Sequence, residues 1–338
     1  MPAIQPEEIV DAILAAIQES GFSGVLISKA RVHPRRFSVV APDGYQTILS
    51  VYVWTLTFGG RKSLPNEYRI QMTSVQSPLQ IAKDGPTVLL GYEPNLKLFA
   101  GFDLQRHRIF TSGSPSVQID IEELKKAELE GLSFHRKTND EIAVGIRSDQ
   151  LMNYALNAES LHRFGREGSV LKLLTRAAAL EPIKPADVQN LTVERKRIVQ
   201  EVSRLSRLAS FRQQVIFAYG ARCAVTRIQL RLVDAAHILP VGAPGSADNV
   251  VNGIALSPTY HRAYDLGLIY LDDEFKMRIN EKEVERVRAV KLDGGLEAFQ
   301  APLGKIFLPP DKHQWPDVDF IRRPTGSGVS CRRLNVQR

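Results

Sequence analysis

The sequence predicts an α+β protein of two domains: an N-terminal mixed α/β-sheet domain, a helical linker, and a smaller C-terminal module. Three observations carry this expectation. A single amphipathic helical stretch is followed by a succession of β-branched and aromatic runs set between turn residues. A break with two prolines, Leu180 to Pro185, then precedes a long helical periodicity from Val193 to Tyr219. Finally, 338 residues with 43% hydrophobic content exceed one average domain and suffice for two cores. The expected boundaries are 1–165 for the first domain, 166–205 for the linker and 206–338 for the C-terminal module.

Taken in order, residues 7–20 place Ile9, Ile13 and Ile17, with Val10 and Leu14, at helical spacing after Pro6-Glu7-Glu8, and Gly21 ends the helix. Strands follow at Gly24 to Ile27 and Arg36 to Ala41. A hairpin signal at Pro42-Asp43-Gly44 leads into the long run Leu49 to Phe58, rich in Val, Tyr, Trp and Thr. Further strands are expected at Glu67 to Thr73, Thr87 to Tyr92, Lys97 to Phe102 and Val117 to Ile119, with helices at Ile121 to Glu130 and Ser148 to Phe164 before the break at Gly165 to Gly168. From Val193 to Tyr219 one helix or two intersperse Arg195, Lys196, Arg197, Arg204, Arg207 and Arg212 among apolar positions. That face either meets solvent or contacts phosphate. No internal repeat or low-complexity tract is present.

Composition narrows the function. A net charge of +7 favours an anionic partner, since basic surface attracts polyphosphate. Two cysteines, Cys223 and Cys331, supply neither a disulfide framework nor a paired-Cys zinc motif, so a reducing, cytoplasmic setting is expected. The N-terminus carries acids and lacks a basic leader, and no stretch approaches the ~18 consecutive apolar residues of a membrane span.

The informative segment runs from Cys223 through Val233-Asp234-Ala235-Ala236-His237-Ile238-Leu239-Pro240, then Asp248-Asn249-Val250-Val251-Asn252-Gly253-Ile254-Ala255-Leu256, then His261-Arg262-Ala263-Tyr264-Asp265-Leu266-Gly267. Hydrolysing a phosphodiester requires an activated water and stabilisation of charge at the phosphate, which a general base and one divalent metal provide. A neutral imidazole suits the base because its ordinary pKa is near 6.5. An Ala-His-Ile strand end before a Pro, an Asn-Gly-Ile-Ala-Leu turn and a His opening the final run occur here in order. From roughly Phe211 to Ile279 the chain resembles the HNH (ββα-metal) endonuclease family, in the restriction-type branch that lacks zinc-binding cysteines.

The resemblance implies a ββα-metal fold, a divalent metal ion such as Mg²⁺ or Mn²⁺, and double-stranded DNA as substrate. It implies His237 as general base, Asn252 as the residue that ties the intervening loop and supports the base, and His261 as a metal ligand. Asn249 is an alternative to Asn252. Many relatives carry a metal-binding Asp or His immediately before the base, where this chain has Ala236. Strand side chains alternate, so Asp234 shares a face with Ala236 and is available to supply the missing carboxylate. Asp265, four residues after His261, faces the same way on a helix as a further ligand or as a group that fixes His261. A hairpin is expected after the motif, Leu268 to Leu271 with Lys276 to Ile279, and a tail bearing Arg322, Arg323, Arg332, Arg333 and Arg338.

Selectivity in such enzymes comes from an attached domain, and residues 1–165 are placed to provide it. Arg61, Lys62 and Arg69 are expected DNA contacts together with Arg204 and Arg207. Tyr68, Tyr92 and Trp54 could stack on a flipped or modified base, although Trp54 is better suited to a core. The expected activity is thus a restriction-type or defence DNA endonuclease, with a homodimer as the simple way to cut both strands. The rival readings are a noncatalytic DNA-binding protein with a decayed HNH fold, suggested by Ala236, and a nuclease effector whose first domain senses a ligand. His33, His107, His135, His162 and His313 are read as packed or solvated histidines.

Overall fold

Helix α1 (Pro6–Glu19) starts with proline in its first turn followed by Glu7 and Glu8, where a fixed φ and negative charge both suit a helix N-terminus. Its apolar stripe, Ile9, Val10, Ile13, Ala16 and Ile17, is buried. The computed structural model describes residues 4–41, 44–111 and 115–323, which divide into two compact units, Met1–Ala209 and Ser210–Arg338. No helix among the described residues is long and apolar enough to cross a membrane.

In the first unit, strands β1 (Ser23–Leu26), β2 (Arg35–Val40), β3 (Gln46–Thr55), β4 (Thr57–Phe58), β5 (Glu67–Gln71), β6 (Thr87–Glu93) and β7 (Leu98–Phe102) lead to the short helix α2 (Leu104–His107). Then come β8 (Ser116–Asp120), α3 (Ile121–Glu130), β9 (Leu132–Arg136) and β10 (Ile142–Arg147). Helices α4 (Leu151–Phe164), α5 (Gly168–Ala178), α6 (Pro185–Val188) and α7 (Val193–Ala218) follow. Seven strands form one sheet in the order β1-β2-β3-β6-β7-β10-β9, antiparallel except at β3–β6. One face packs on α1, α4, α5 and the beginning of α7 through residues such as Phe37, Val51, Leu90, Leu151, Leu174 and Val199. The other face packs on a three-stranded sheet, β4-β5-β8, and α3 through Tyr52, Leu56, Ile70, Leu89, Phe102 and Leu124. Burial on both faces explains why β7 reads as a continuous apolar run.

Three departures from the sequence reading follow from this layering. The single strand expected over Leu49 to Phe58 is two, because buried Leu56 ends β3 and the chain turns to pair β4 with β5 in the second sheet. The β9–β10 hairpin was not anticipated, and α5 was covered only by the expectation of a helical linker. The segment expected as a linker, 166–205, packs into the first core with Val170, Leu173, Ala177, Val188, Ile198 and Val202. The β2–β3 hairpin is present, with Val40 opposite Gln46. Pro42 and Asp43 of its expected turn, like Cys331, Arg332, Arg333 and Arg338, lie outside the described residues.

Gly101 on β7 makes room for a buried polar pair. A Cβ there would lie 2.2 Å from Tyr154 Cζ, and the Tyr154 hydroxyl is 2.9 Å from His162 Nε2. His162 Nδ1 faces the Ile142 carbonyl at 2.9 Å, so Nδ1 donates and Nε2 accepts. Burial pushes this imidazole down to about 4, which keeps it neutral in the core.

The second unit begins with the last turns of α7, from Ser210. Strand β11 (Asp234–His237) pairs antiparallel with β12 (Gly253–Leu256), setting Asp234 opposite Leu256 and His237 opposite Gly253. Helix α8 (Pro258–Asp265) comes next, again with proline in the first turn. The expected hairpin is β13 (Ile269–Leu271) and β14 (Lys276–Ile279). After α9 (Glu281–Ala289) and α10 (Leu296–Gln300), strand β15 (Gly304–Lys305) joins that hairpin, and α11 (Val318–Arg322) follows. Phe211, Val215, Cys223, Ala236, Ile254, Leu256, Tyr260 and Ile269 share this unit's core.

Candidate active site

Strands β11 and β12 with α8 bring Asp234, His261 and Asp265 into a row. His261 Nδ1 is 3.7 Å from Asp234 Oδ2, and its Nε2 is 3.5 Å from Asp265 Oδ2. The i, i+4 spacing on α8 explains the second contact. The other Asp234 oxygen, Oδ1, accepts from Arg212 Nη1 at 3.0 Å, and Arg212 Nη2 donates to the Val233 carbonyl at 3.3 Å. Burial, the largest single influence on Asp234, pushes its carboxyl up. The combined pull of His261 and Arg212 outweighs it and leaves the group below the usual carboxylate range. Ala236, on the same strand face, is fully buried and carries no donor.

His237 occupies a separate niche. Its Nε2 lies 3.0 Å from Asp248 Oδ1, and its ring stacks on Phe211 with centroids 3.7 Å apart and planes 14° apart. Burial holds the imidazole below its ordinary pKa, an effect that Asp248 opposes; His261 lowers it further and Asp265 raises it. The charges on α8 are therefore felt at His237.

Asn252 is fully buried beneath the loop that joins the two strands. Its Nδ2 donates to the carbonyls of Leu239 at 3.1 Å and Ala247 at 2.9 Å, and its Oδ1 accepts from the Leu239 amide at 2.8 Å. Asn249, weighed as an alternative, accepts from the Asn252 amide through its own side chain at 3.1 Å. The two asparagines thus work in series to hold one loop. The neighbouring Gly253 has φ −129°, a conformation open to any residue. What it needs is space: a Cβ would sit 2.2 Å from Val215 Cγ2 and 3.0 Å from Phe211 Cε2.

The basic residues expected at DNA belong to the first unit and differ in their commitments. Arg61 is ion-paired with the buried Glu67, and Arg204 pairs with Glu201 at 2.7 Å. Arg207 Nε donates to the Ser203 carbonyl of its own helix at 3.3 Å. Lys62 is exposed. Arg69 is half-buried, and its Nε has no hydrogen-bond partner among the described residues. Of the aromatic groups, Tyr92 packs in the core against Phe99, Tyr68 is half-buried beside exposed Phe58, and Trp54 stacks on His33 at 4.3 Å while its Nε1 donates to the Thr73 carbonyl.

Asp248 is the residue that sequence reasoning passed over. It lies in a polar loop with no fixed spacing to His237, and only its place between the motif's His and Asn marks it.

Residues 223–272 match the model of the HNH endonuclease family, over the span that holds Asp234, His237, Asn252, His261 and Asp265. This stretch is an HNH endonuclease domain. Residues 48–155 match a second family, Methylase-associated X1. Among solved structures, a modification dependent TagI restriction endonuclease is 14% identical, covers 80% of this chain and 79% of its own, and superposes with a TM-score of 0.29. No curated protein matches the chain.

HNH endonucleases generally use a divalent metal ion. Among the described residues no group of three or more His, Cys, Asp or Glu side chains is gathered as a metal cage. The donor chemistry nevertheless fits an open hydrolytic site. Asp234 and His261 stand side by side and partly exposed, and a hard cation held by one or two protein groups takes its other ligands from water and phosphate oxygens.

Proposed function

We propose that this chain is a restriction-type DNA endonuclease, in which the HNH site hydrolyses the phosphodiester backbone and the first unit selects the target, including its modification state. The reading is carried by one observation: within the HNH span, consecutive elements place Asp234 against His261 while the neighbouring His237 is held by its own carboxylate partner. The Methylase-associated match over the first unit's sheets supports a place in modification-linked DNA recognition.

His237 is the general base. It takes a proton from water as the water oxygen forms a bond to phosphorus, the bond from phosphorus to the 3′ oxygen breaks, and the leaving oxygen is protonated from solvent. Asp234 and His261 would hold the divalent ion, with Asp265 behind the imidazole. When bound, the ion neutralises charge developing on the phosphate and the leaving oxygen. Oxygen-rich donors suit Mg²⁺ or Mn²⁺. Asn252 acts through the loop whose carbonyls it ties, and so keeps the β11 end in register with β12. In the first unit Lys62 and Arg69 are the basic groups best placed to meet phosphate or base edges. A homodimer would supply the second centre needed to cut a duplex.

The test is incubation of methylated and unmethylated plasmid with the purified protein, with and without Mg²⁺ or Mn²⁺. Metal-dependent cutting that differs between the two plasmids is expected. His237→Ala should lower cutting by about 10²–10⁴-fold with DNA binding intact. Near wild-type cutting by this variant would move the base elsewhere, and equal cutting of both plasmids would remove the modification-sensing part of the reading.

A further inference from the structure

An imidazole can serve as a base through only one nitrogen at a time, and the surroundings of His237 select which. Asp248 Oδ1 lies 3.0 Å from Nε2, and a carboxylate is an acceptor only, so the hydrogen of the neutral ring belongs on Nε2. The lone pair is then left on Nδ1, which makes no hydrogen bond to any described residue. Turning the ring over would exchange the two edges and forfeit the Asp248 contact. Phe211, stacked 3.7 Å away and nearly parallel, fixes the plane in which the ring lies. Phe211 is itself buried and is wedged against β12 where Gly253 lacks a side chain. The His237 and Asp248 side chains are 13% and 20% exposed, so bulk water does not replace this contact freely.

We propose that Asp248 is the positioning residue of the base: it fixes His237 in the Nε2–H form, with Phe211 as the wall behind the ring, so that Nδ1 is the atom that accepts the proton of the attacking water. This rests on the endonuclease reading for its chemistry, but the tautomer itself is a property of the resting protein. Asp248 also helps the base take its proton, because the imidazolium formed on water activation faces a carboxylate. The other charged groups that act on the ring are His261 and Asp265 on α8, with opposite signs; α7 contributes the uncharged Phe211 and β12 contributes Gly253.

Asp248→Asn separates this role from that of a simple loop tie. The amide keeps the size and an acceptor oxygen, so a loop tie survives. It also removes the negative charge, and it can offer an N–H that favours the opposite tautomer. Expected are a fall in kcat on the order of tenfold to a hundredfold with KM for DNA unchanged, and an acidic limb of the pH–rate profile moved to lower pH. The sign follows because the base works deprotonated and Asp248 raises its proton affinity, so losing that charge lets the ring stay neutral in more acidic solution. Nitrogen-15 NMR of histidine-labelled wild-type protein should show His237 protonated on Nε2 at neutral pH, whether or not the protein cuts.

A wild-type His237 protonated on Nδ1 would overturn the proposal. So would a folded Asp248→Asn protein with wild-type kcat and an unmoved acidic limb. Wild-type protein that has the Nε2–H tautomer but cuts no DNA with Mg²⁺ or Mn²⁺ would overturn the endonuclease reading instead and leave the Asp248 assignment standing.

Discussion

Asp234 is contested by two cationic or hydrogen-bonding partners, since Arg212 reaches one oxygen and His261 stands beside the other. A divalent ion held here would share this carboxylate with the Arg212 guanidinium. If Asp234 and His261 hold the ion, Asp234→Ala and His261→Ala should each weaken Mn²⁺ binding by about tenfold or more in a calorimetric titration of the full chain. Unchanged affinity in Asp234→Ala would shift the carboxylate to Asp265. At this scale much of the candidate site was legible, because His237, Asn252 and His261 sit in an ordered motif that falls within the matched span 223–272. Strand alternation was enough to single out Asp234 as a candidate once Ala236 left a donor missing, and the fold sets it 3.7 Å from His261. Asp248 was not legible, since a carboxylate in a polar loop looks like solvation until the fold brings it to an imidazole. Neither were the commitments of Arg61 and Arg204 to nearby acids, because side-chain pairing depends on which residues the folded chain places within reach.

Between elements, α7 lies close against β12 at Gly253. The sequence reads Asn252-Gly253 as turn chemistry, yet the backbone there is extended and the glycine is required by the helix lying against it. Gly253→Ala should therefore destabilise the protein by about 1–3 kcal/mol and slow cutting as well, because the displaced helix carries Phe211 off the His237 ring. Adding Val215→Ala, which removes the methyl nearest the new Cβ, should restore part of both losses in thermal melts and cleavage rates. A Gly253→Ala protein as stable and active as wild type would show that the contact yields without consequence. The β9–β10 hairpin escaped the sequence reading for a related reason. Its residues are polarised by position in the sheet, with β10 buried almost throughout and β9 only at its start, so neither shows a clean two-residue alternation.

For the whole molecule, the compact division falls at Ala209–Ser210, inside α7, so the two prolines near residue 182 mark a turn between packed helices. Residues 1–209 should express as a folded unit with one cooperative melt. A chain ending at 165 leaves the sheet face opposite Val170, Leu174, Val199 and Val202 uncovered, and should bind hydrophobic dye and melt without cooperativity. If the shorter chain melted as sharply and at the same temperature, residues 166–205 would return to the status of a linker. The ion pairs of Arg61 with Glu67 and of Arg204 with Glu201 carry a further consequence. A guanidinium already neutralised by its own carboxylate frees no cations from the DNA it touches. Each phosphate that is truly neutralised makes the logarithm of the binding constant fall by about 0.9 per decade of salt. These two arginines drop out of that count while their pairs persist, so the protein's grip on DNA should loosen with salt less steeply than its tally of basic residues implies.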